Sequence, residues 1–183
     1  MTDPGSTQAP RRLLIVWWSM TGGTRQLAEA AARGAQRAAS AAVGDPSAGV
    51  PVEVHLLAAD MAGPADVLEA SACLFATPEN LATMAGMLKD FFDRSYYAVL
   101  DRVNGRPYAS IVCAGSDGQG AARQIERIAT GWRLRQVAPP LIVCTHAQTP
   151  EAILAPKTIP RAELARAEDL GEALAIGVSL GVW

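Results

Sequence analysis

The sequence contains little lysine and little net charge. Lys89 and Lys157 are its only two lysines, and the formal net charge is −2 over 183 residues. Proteins that bind the phosphate backbone of nucleic acids need a strongly basic surface, because neutralising the phosphates drives that binding. The composition therefore predicts that this protein has no nucleic-acid partner.

Cysteine is also scarce. Cys73, Cys113 and Cys144 each lie in a short apolar run that is typical of a buried strand, and an odd number of cysteines gives no disulfide framework. No cysteine is followed by arginine at the spacing that a phosphatase loop requires. We expect a reduced, cytoplasmic protein in which the three thiols serve as small core side chains.

No apolar run is long enough to cross a bilayer. The most apolar late segment, residues 170–183, is too short and contains Glu172, so it predicts a helix packed on the core, with Gly177 and Gly181 allowing close approach to the sheet.

Residues 1–11 are polar and contain proline, which predicts a disordered leader rather than a signal peptide. Residues 12–183 fit a single domain.

Apolar segments of strand length alternate along the chain with segments of helical period. We predict strands over residues 12–18, 50–57, 72–76, 108–114 and 140–144, and helices over residues 24–42, 64–69, 85–100, 121–135 and 170–183. Parallel strands that are buried on both faces read as continuous apolar runs and need helical crossovers. The alternation therefore predicts an α/β domain with a doubly wound parallel sheet.

Ligands of such sheets bind outside the carboxyl ends of the strands, so the loops after strands one, three and four are candidate ligand loops. The first of these loops consists of Ser19, Met20, Thr21, Gly22, Gly23 and Thr24. Glycines let backbone amides approach an anion, hydroxyls donate further hydrogen bonds, and the start of the following helix attracts negative charge. The loop predicts a site for a phosphate monoester, to which Arg25 either adds charge or faces solvent.

This first loop resembles the Ser/Thr-x-Thr-Gly-x-Thr phosphate loop of flavodoxins and related FMN reductases. A second segment is similar to the second flavin loop of the quinone-reductase branch of that superfamily, in which a proline-led loop ends near Met-x-Gly and leads into a helix with lysine, phenylalanine and aspartate. Its loop residues are Pro78, Glu79, Asn80, Leu81, Ala82 and Thr83, followed by Met84, Gly86, Lys89, Phe92 and Asp93.

The third loop resembles the glycine-rich loop that passes along the flavin ring and ribityl chain in these reductases. Its residues are Gly115, Ser116, Asp117, Gly118, Gln119 and Gly120. Neither this loop nor residues 78–83 contain the aromatic residue that stacks on the flavin in many flavodoxins. We assign none of Trp17, Trp18 and Trp132 to the cofactor, because large rings at strand and helix ends more often belong to the core.

The resemblance implies a flavodoxin-like three-layer sandwich, with a five-stranded parallel sheet in the order 2-1-3-4-5 and helices on both faces. It also implies an FMN cofactor, with NAD(P)H as co-substrate and a quinone or similar small molecule as electron acceptor. Ser19, Thr21 and Thr24 would bind the phosphate, residues 78–83 would meet the pyrimidine edge, and residues 115–120 would close the other side. No side-chain nucleophile is then required, since the flavin carries the chemistry.

Two other functions stay open: a flavodoxin-type electron carrier, and a flavodoxin-like module without flavin. The nearly neutral charge favours the oxidoreductase, because carriers that dock electrostatically are usually strongly acidic. The missing stacking aromatics keep the flavin-free module in consideration. A receiver domain is excluded, because Trp18-Ser19 and Thr77-Pro78 stand where acidic residues are needed, and the sequence contains neither a Gly-x-Ser-x-Gly elbow nor metal-spaced histidines.

Two further hypotheses concern residues outside the three loops. Phe91, Phe92, Tyr96 and Tyr97 provide more rings than one sheet face requires, which suggests a homodimer contact on that helix. His146 follows the fifth strand at the ligand edge, where it would orient an acceptor or simply be solvated.

Overall fold

The computed structural model describes residues 9–42 and 49–183, so residues 1–8 of the predicted leader lie outside the described residues. In chain order the elements are β1 (Arg11–Trp17), α1 (Gly23–Ala41), β2 (Val52–Ala58), α2 (Pro64–Glu69), β3 (Ala72–Asn80), β4 (Thr83–Met84), α3 (Gly86–Val99), β5 (Pro107–Ala114), α4 (Gln119–Gly131), β6 (Arg135–Gln136), β7 (Leu141–Cys144), α5 (Pro150–Leu154) and α6 (Arg161–Leu180). Every predicted strand and helix has a counterpart. Among the described residues, no helix is both long and apolar enough to span a membrane.

The central sheet is parallel and has the strand order β2-β1-β3-β5, with β6 and β7 both paired to the far side of β5. The short β6 pairs with the beginning of β5, and β7 pairs with its end. With β5 and β7 counted as the fourth and fifth strands of the predicted sheet, the order is 2-1-3-4-5. The flavodoxin-like α/β topology is thus confirmed, and it brings the carboxyl ends of β1, β3, β5 and β7 to one edge.

The packing of strand β1 explains why residues 13–17 form a continuous apolar run. Its side chains alternate between the two faces of the sheet, so Leu13 and Ile15 enter one core while Leu14 and Val16 enter the other. Helices cover both faces, and all four side chains are fully buried. A strand that is buried on both faces has no solvent-exposed face, so its sequence does not alternate between polar and apolar residues.

Four aromatic side chains form a cluster in the core on one face of the sheet. Phe75, Phe91, Phe92 and Trp132 contact one another, with Trp132 edge-on to Phe92 at a centroid distance of 5.2 Å. All four are buried. Phe91 and Phe92 therefore belong to the core and not to the predicted dimer contact, on which Tyr97 is the exposed ring.

Helix α4 is shorter than predicted, because it ends at Gly131 rather than at residue 135. Arg133 has a positive φ of 58°, which turns the chain out of the helix. Arg135 and Gln136 then pair with the start of β5 as strand β6. A strand of two residues has no periodicity that a sequence reading could detect.

Helix α6 is longer than predicted, because it begins at Arg161 rather than at residue 170. Charged residues and alanines make up its first two turns apart from Leu164, so the apolar pattern is weak there and the sequence did not reveal them. The short helix α5 also escaped prediction, although Thr149 caps it by accepting a hydrogen bond from the Ala152 amide at 3.3 Å.

Two glycines allow α6 to pack closely against α1. A Cβ on Gly34 would overlap the backbone of Glu168, lying 2.7 Å from its carbonyl carbon, and a Cβ on Gly171 would lie 2.6 Å from the carbonyl carbon of Ala31. The prediction of close packing on the sheet is wrong for Gly177, whereas Gly181 does lie against a side chain of strand β1. Gly177 instead accommodates the ring of Trp183, and Gly181 ends the helix in a left-handed conformation next to Arg11.

The α1–α6 contact also contains a carboxylate that makes stability depend on pH. The Glu168 carboxylate lies 3.3 Å from the Arg33 guanidinium and 3.2 Å from that of Arg37. Burial raises the pKa of this carboxyl, but the arginines Arg33, Arg37 and Arg161 together outweigh burial, so the pKa is lowered on balance. Because the folded-state pKa lies below the unfolded value, the stabilisation is complete above about pH 5 and is lost as the pH falls through the folded-state pKa.

We therefore expect the stability advantage of the wild type over Glu168→Gln to shrink on acidification. Urea unfolding at pH 7 and at pH 3.5 measures the difference at each pH. The control is Glu151→Gln, which changes an exposed glutamate on α5. A wild-type advantage that is as large at pH 3.5 as at pH 7 would show that the ion pairs do not stabilise the fold.

Candidate functional site

A cavity of about 590 Å³ lies at the carboxyl ends of the strands, within the range of small-molecule sites. Twelve of the predicted site residues line it: Ser19, Met20, Thr21, Gly23, Thr24, Pro78, Glu79, Asn80, Leu81, Ala82, Gly115 and Ser116. Five others belong to the same loops without lining the cavity, namely Gly22, Thr83, Asp117, Gly118 and Gly120. A smaller cavity of about 330 Å³, between α1 and α6, is lined mainly by apolar side chains and gathers few polar groups.

The first loop folds tightly over the start of α1. Gly22 has a left-handed φ of 86°, and its amide donates a hydrogen bond of 3.0 Å to the Ser19 hydroxyl. This arrangement leads directly into a helix of 19 residues whose first turn contains no acidic residue. The unpaired amides of that turn and the helix dipole make a favourable environment for an anion.

Thr24 is the most informative residue of the loop. It lines the cavity, its exposed fraction is 1%, and its hydroxyl has no hydrogen-bond partner among the described residues. A buried hydroxyl without a partner is costly and uncommon in proteins. A phosphate oxygen bound at the start of α1 would accept the missing hydrogen bond, so the residues present fit the phosphate of FMN.

Arg25 does not contribute its charge to this loop. Its guanidinium lies 2.7 Å from the Glu29 carboxylate and 5.9 Å from the centre of the Trp17 ring. The side chain is mostly exposed. Of the two roles that the sequence left open for Arg25, the structure therefore supports a side chain that faces solvent.

The second loop is a β-hairpin rather than an open loop. Strand β3 continues to Asn80 and pairs antiparallel with β4, joining Glu79 to Met84 and Asn80 to Thr83. The two connecting residues, Leu81 and Ala82, have positive φ angles of 51° and 61°. Such turns normally contain asparagine and glycine, and strained backbone of this kind concentrates at functional sites.

The third loop positions the start of α4. Gly118 is the N-cap of that helix, with a φ of 82°, and a Cβ at this position would lie 2.5 Å from a methyl carbon of Ile142. The Gly118 amide donates a hydrogen bond of 2.8 Å to the Glu79 carboxylate. Glycine is therefore required here for backbone conformation and packing, while Gly115 and Ser116 form the cavity wall.

The rest of the cavity lining, beyond the three loops, was not predicted from the sequence. It consists of Cys113, Ala114, Thr145, Ala147, Gln148, Ile153 and Lys157. Residues 145–148 directly follow the last strand at the ligand edge, and that position could have identified them. His146 is exposed and does not line the cavity. None of the cavity-lining residues in the described part of the chain is aromatic.

Lys157 lies at the cavity because it forms hydrogen bonds with residues that are distant in sequence. Its amide donates a hydrogen bond of 2.8 Å to the Thr21 carbonyl, and its own carbonyl accepts one of 2.6 Å from the Gln26 side chain. Gln26 also accepts a hydrogen bond from the Ile159 amide at 3.1 Å. The Lys157 ammonium binds three carbonyl oxygens at the end of α5. No local pattern in the sequence signals these contacts.

The Cys113 thiol lies beneath the first loop, close to Gly23 and beside Thr24. Burial raises the pKa of this thiol to about 11, while the charge of Lys157 and the nearby Thr24 hydroxyl lower it, although the geometry between hydroxyl and thiol is not that of a hydrogen bond. The thiol is therefore protonated at neutral pH, as expected of a core cysteine rather than of a nucleophile.

A match to a known family supports a flavin site at this position. The family model of NADPH-dependent FMN reductases matches residues 18–148, a span that includes all three loops. The chain belongs to this family. Membership confirms the resemblance to the flavodoxin-like superfamily and its FMN reductase branch. It supports FMN binding and an FMN-dependent oxidoreductase or flavodoxin-like function.

Solved structures show the same fold. A flavodoxin from the domain Archaea is 18% identical, with a TM-score of 0.67 and coverage of 91% of this chain and 98% of its own. A WrbA-like flavodoxin from Agrobacterium tumefaciens is 16% identical, with a TM-score of 0.68 and coverage of 92% and 97%. The flavodiiron protein from Giardia intestinalis is 16% identical, with a TM-score of 0.70 and coverage of 94% and 37%. No curated protein matches the chain.

Proposed function

We propose that the protein binds FMN in this cavity and transfers reducing equivalents from NAD(P)H to a quinone or a similar small acceptor. The observation that carries the proposal is the buried Thr24 hydroxyl, which has no hydrogen-bond partner among the described residues and lies in the first turn of α1. Membership in the FMN reductase family supports the same cofactor. When bound, FMN supplies the hydride-accepting chemistry.

The first loop would hold the phosphate. The Ser19 oxygen accepts a hydrogen bond from the Gly22 amide, so its own proton is available to a ligand oxygen. Thr24 would donate a second hydroxyl hydrogen bond, and Thr21 a third. The amides of the first turn of α1 would add hydrogen bonds and partial positive charge.

Two further loops would flank the flavin ring. Residues 78–82 and the pair Gly115–Ser116 both line the cavity. Met20, Leu81 and Ile153 line the cavity with exposed fractions of 54%, 99% and 43%. These aliphatic side chains would cover the apolar ring and displace water from it, a role that aromatic side chains have in many flavodoxins.

An anaerobic absorption experiment tests the proposal. Protein incubated with FMN and desalted is expected to keep the flavin spectrum, to lose it on addition of NADPH or NADH, and to regain it on addition of a benzoquinone. Free FMN treated in the same way without protein is the control. Bound flavin that neither nicotinamide reduces would favour the electron carrier, and a protein that retains no flavin would favour the flavin-free module.

The remaining expectations are also proposals. We propose a single domain over residues 12–183, a cytoplasmic location and a homodimer. The three cysteines are unpaired, which supports a reducing environment. A dimer contact on α3 would use the exposed ring of Tyr97, since Phe91 and Phe92 lie in the core.

A further inference from the structure

One carboxylate joins two walls of the cavity. Glu79 lies in the β3–β4 hairpin, and its Oε2 accepts a hydrogen bond from the Gly118 amide at 2.8 Å. Its Oε1 accepts a longer one from the Ala121 amide at 3.4 Å. Gly118 is the N-cap of α4 and Ala121 lies in its first turn. Glu79 therefore caps a helix that belongs to a different part of the chain.

Helix α4 needs such a partner because its own sequence provides none. Its N-cap is glycine, and residues 119–121 include no acidic side chain. The amides of a first helical turn lack intrahelical partners and carry partial positive charge. A carboxylate at this position satisfies the amides and stabilises the helix, as an N-cap side chain does in other helices.

Two more contacts fix the hairpin on α4. The Met84 amide donates a hydrogen bond of 2.9 Å to the Gln124 side chain. A Cβ on Gly120 would overlap the backbone of Ala82, lying 2.9 Å from its carbonyl carbon. The hairpin thus lies directly on the first two turns of α4, and the Glu79 carboxylate is the charged group at the centre of this contact.

We propose that Glu79 is a positioning residue for flavin binding. Its carboxylate holds the hairpin of residues 78–82 and the glycine-rich loop of residues 115–118 in the relative positions in which both contribute to the cavity lining. The side chain acts through these loops and not through the phosphate, which belongs to the first loop. This role rests on the proposed function, and it adds to the cofactor contact predicted from the sequence for Glu79, which also lines the cavity.

Flavin titrations with Glu79→Ala test the proposal. Because the lost hydrogen bonds involve a charged group, we expect affinity for both FMN and riboflavin to fall by the same factor, about tenfold or more. Glu79→Gln keeps the volume and one acceptor oxygen, so its loss is expected to be smaller. The matched control is Asp66→Asn, which weakens a carboxylate cap on α2, where Asp66 accepts a hydrogen bond from the Gly63 amide at 2.9 Å. This control is expected to leave flavin affinity unchanged.

Hydrogen exchange provides a readout that does not need flavin. Glu79→Ala is expected to speed exchange at Gly118 and Ala121 and in residues 80–84 together, whereas Asp66→Asn is not. Unchanged flavin affinity in Glu79→Ala, or a loss confined to FMN, would overturn the positioning role. Wild-type protein that binds neither flavin would overturn the proposed function itself, which is a distinguishable result.

Discussion

Replacing Thr24 with valine is expected to weaken FMN binding and, at the same time, to stabilise the flavin-free protein. Valine keeps the shape of threonine but removes a hydroxyl that is buried and has no partner among the described residues. A hydrogen bond to a charged group contributes about 1.5–3 kcal/mol, so FMN affinity should fall by about 10- to 100-fold. Relief of the unpaired hydroxyl should raise the free energy of unfolding by about 1 kcal/mol.

Riboflavin separates the phosphate contact from the rest of the site. Because riboflavin lacks the phosphate, its affinity should be the same in Thr24→Val as in the wild type. Thr130→Val is the matched control, since Thr130 is exposed on α4 and its hydroxyl binds only the Glu126 carbonyl among the described residues. Fluorescence titration and urea unfolding measure both quantities. Equal FMN affinity in Thr24→Val and wild type would refute a phosphate contact at Thr24.

The second large effect concerns the packing of α6 on α1. Gly34→Ala is expected to lower the free energy of unfolding by about 2 kcal/mol or more, because overpacking of a rigid contact outweighs the gain of about 1 kcal/mol in helix propensity. The added Cβ would lie 2.7 Å and 2.9 Å from the carbonyl carbon and Cα of Glu168. These are backbone atoms, so no change of rotamer relieves the overlap.

Gly131→Ala is the control for this prediction. Gly131 is the last residue of α4, and a Cβ there would meet nothing within 4 Å. The control is expected to leave stability unchanged or to raise it by a few tenths of a kcal/mol. If Gly34→Ala proved as stable as Gly131→Ala in urea, the two helices could not be packed as closely as the structure has them.

The sequence predicted those parts of the fold that depend on buried apolar runs. β1, β5 and β7 lie between two cores, so residues 13–17, 111–114 and 141–144 are apolar without interruption, and α2 was located to the residue. The parts that escaped prediction are stabilised by distant partners instead. β6 exists because Pro107–Tyr108 offers it a pairing edge, and the first turns of α6 are joined to α1 by the ion pairs of Glu168 with Arg33 and Arg37.

The same distinction holds for the site. The first loop was predictable because glycines and hydroxyls before a helix have a local meaning for anions. The hairpin at Leu81 and Ala82 was not, since neither residue favours a positive φ. The place of Lys157 in the cavity lining could not be predicted either, because Lys157 is hydrogen-bonded there to Gln26, which is 131 residues away in the sequence.

Parallel titrations of the flavin-free wild-type protein with FMN and with riboflavin test most directly whether the first loop is a phosphate site. Quenching of flavin fluorescence measures both affinities on the same protein. We predict one FMN per chain, bound at least about tenfold more tightly than riboflavin. Equal affinities for the two flavins, or binding of neither, would contradict a phosphate site built from Ser19, Thr21 and Thr24.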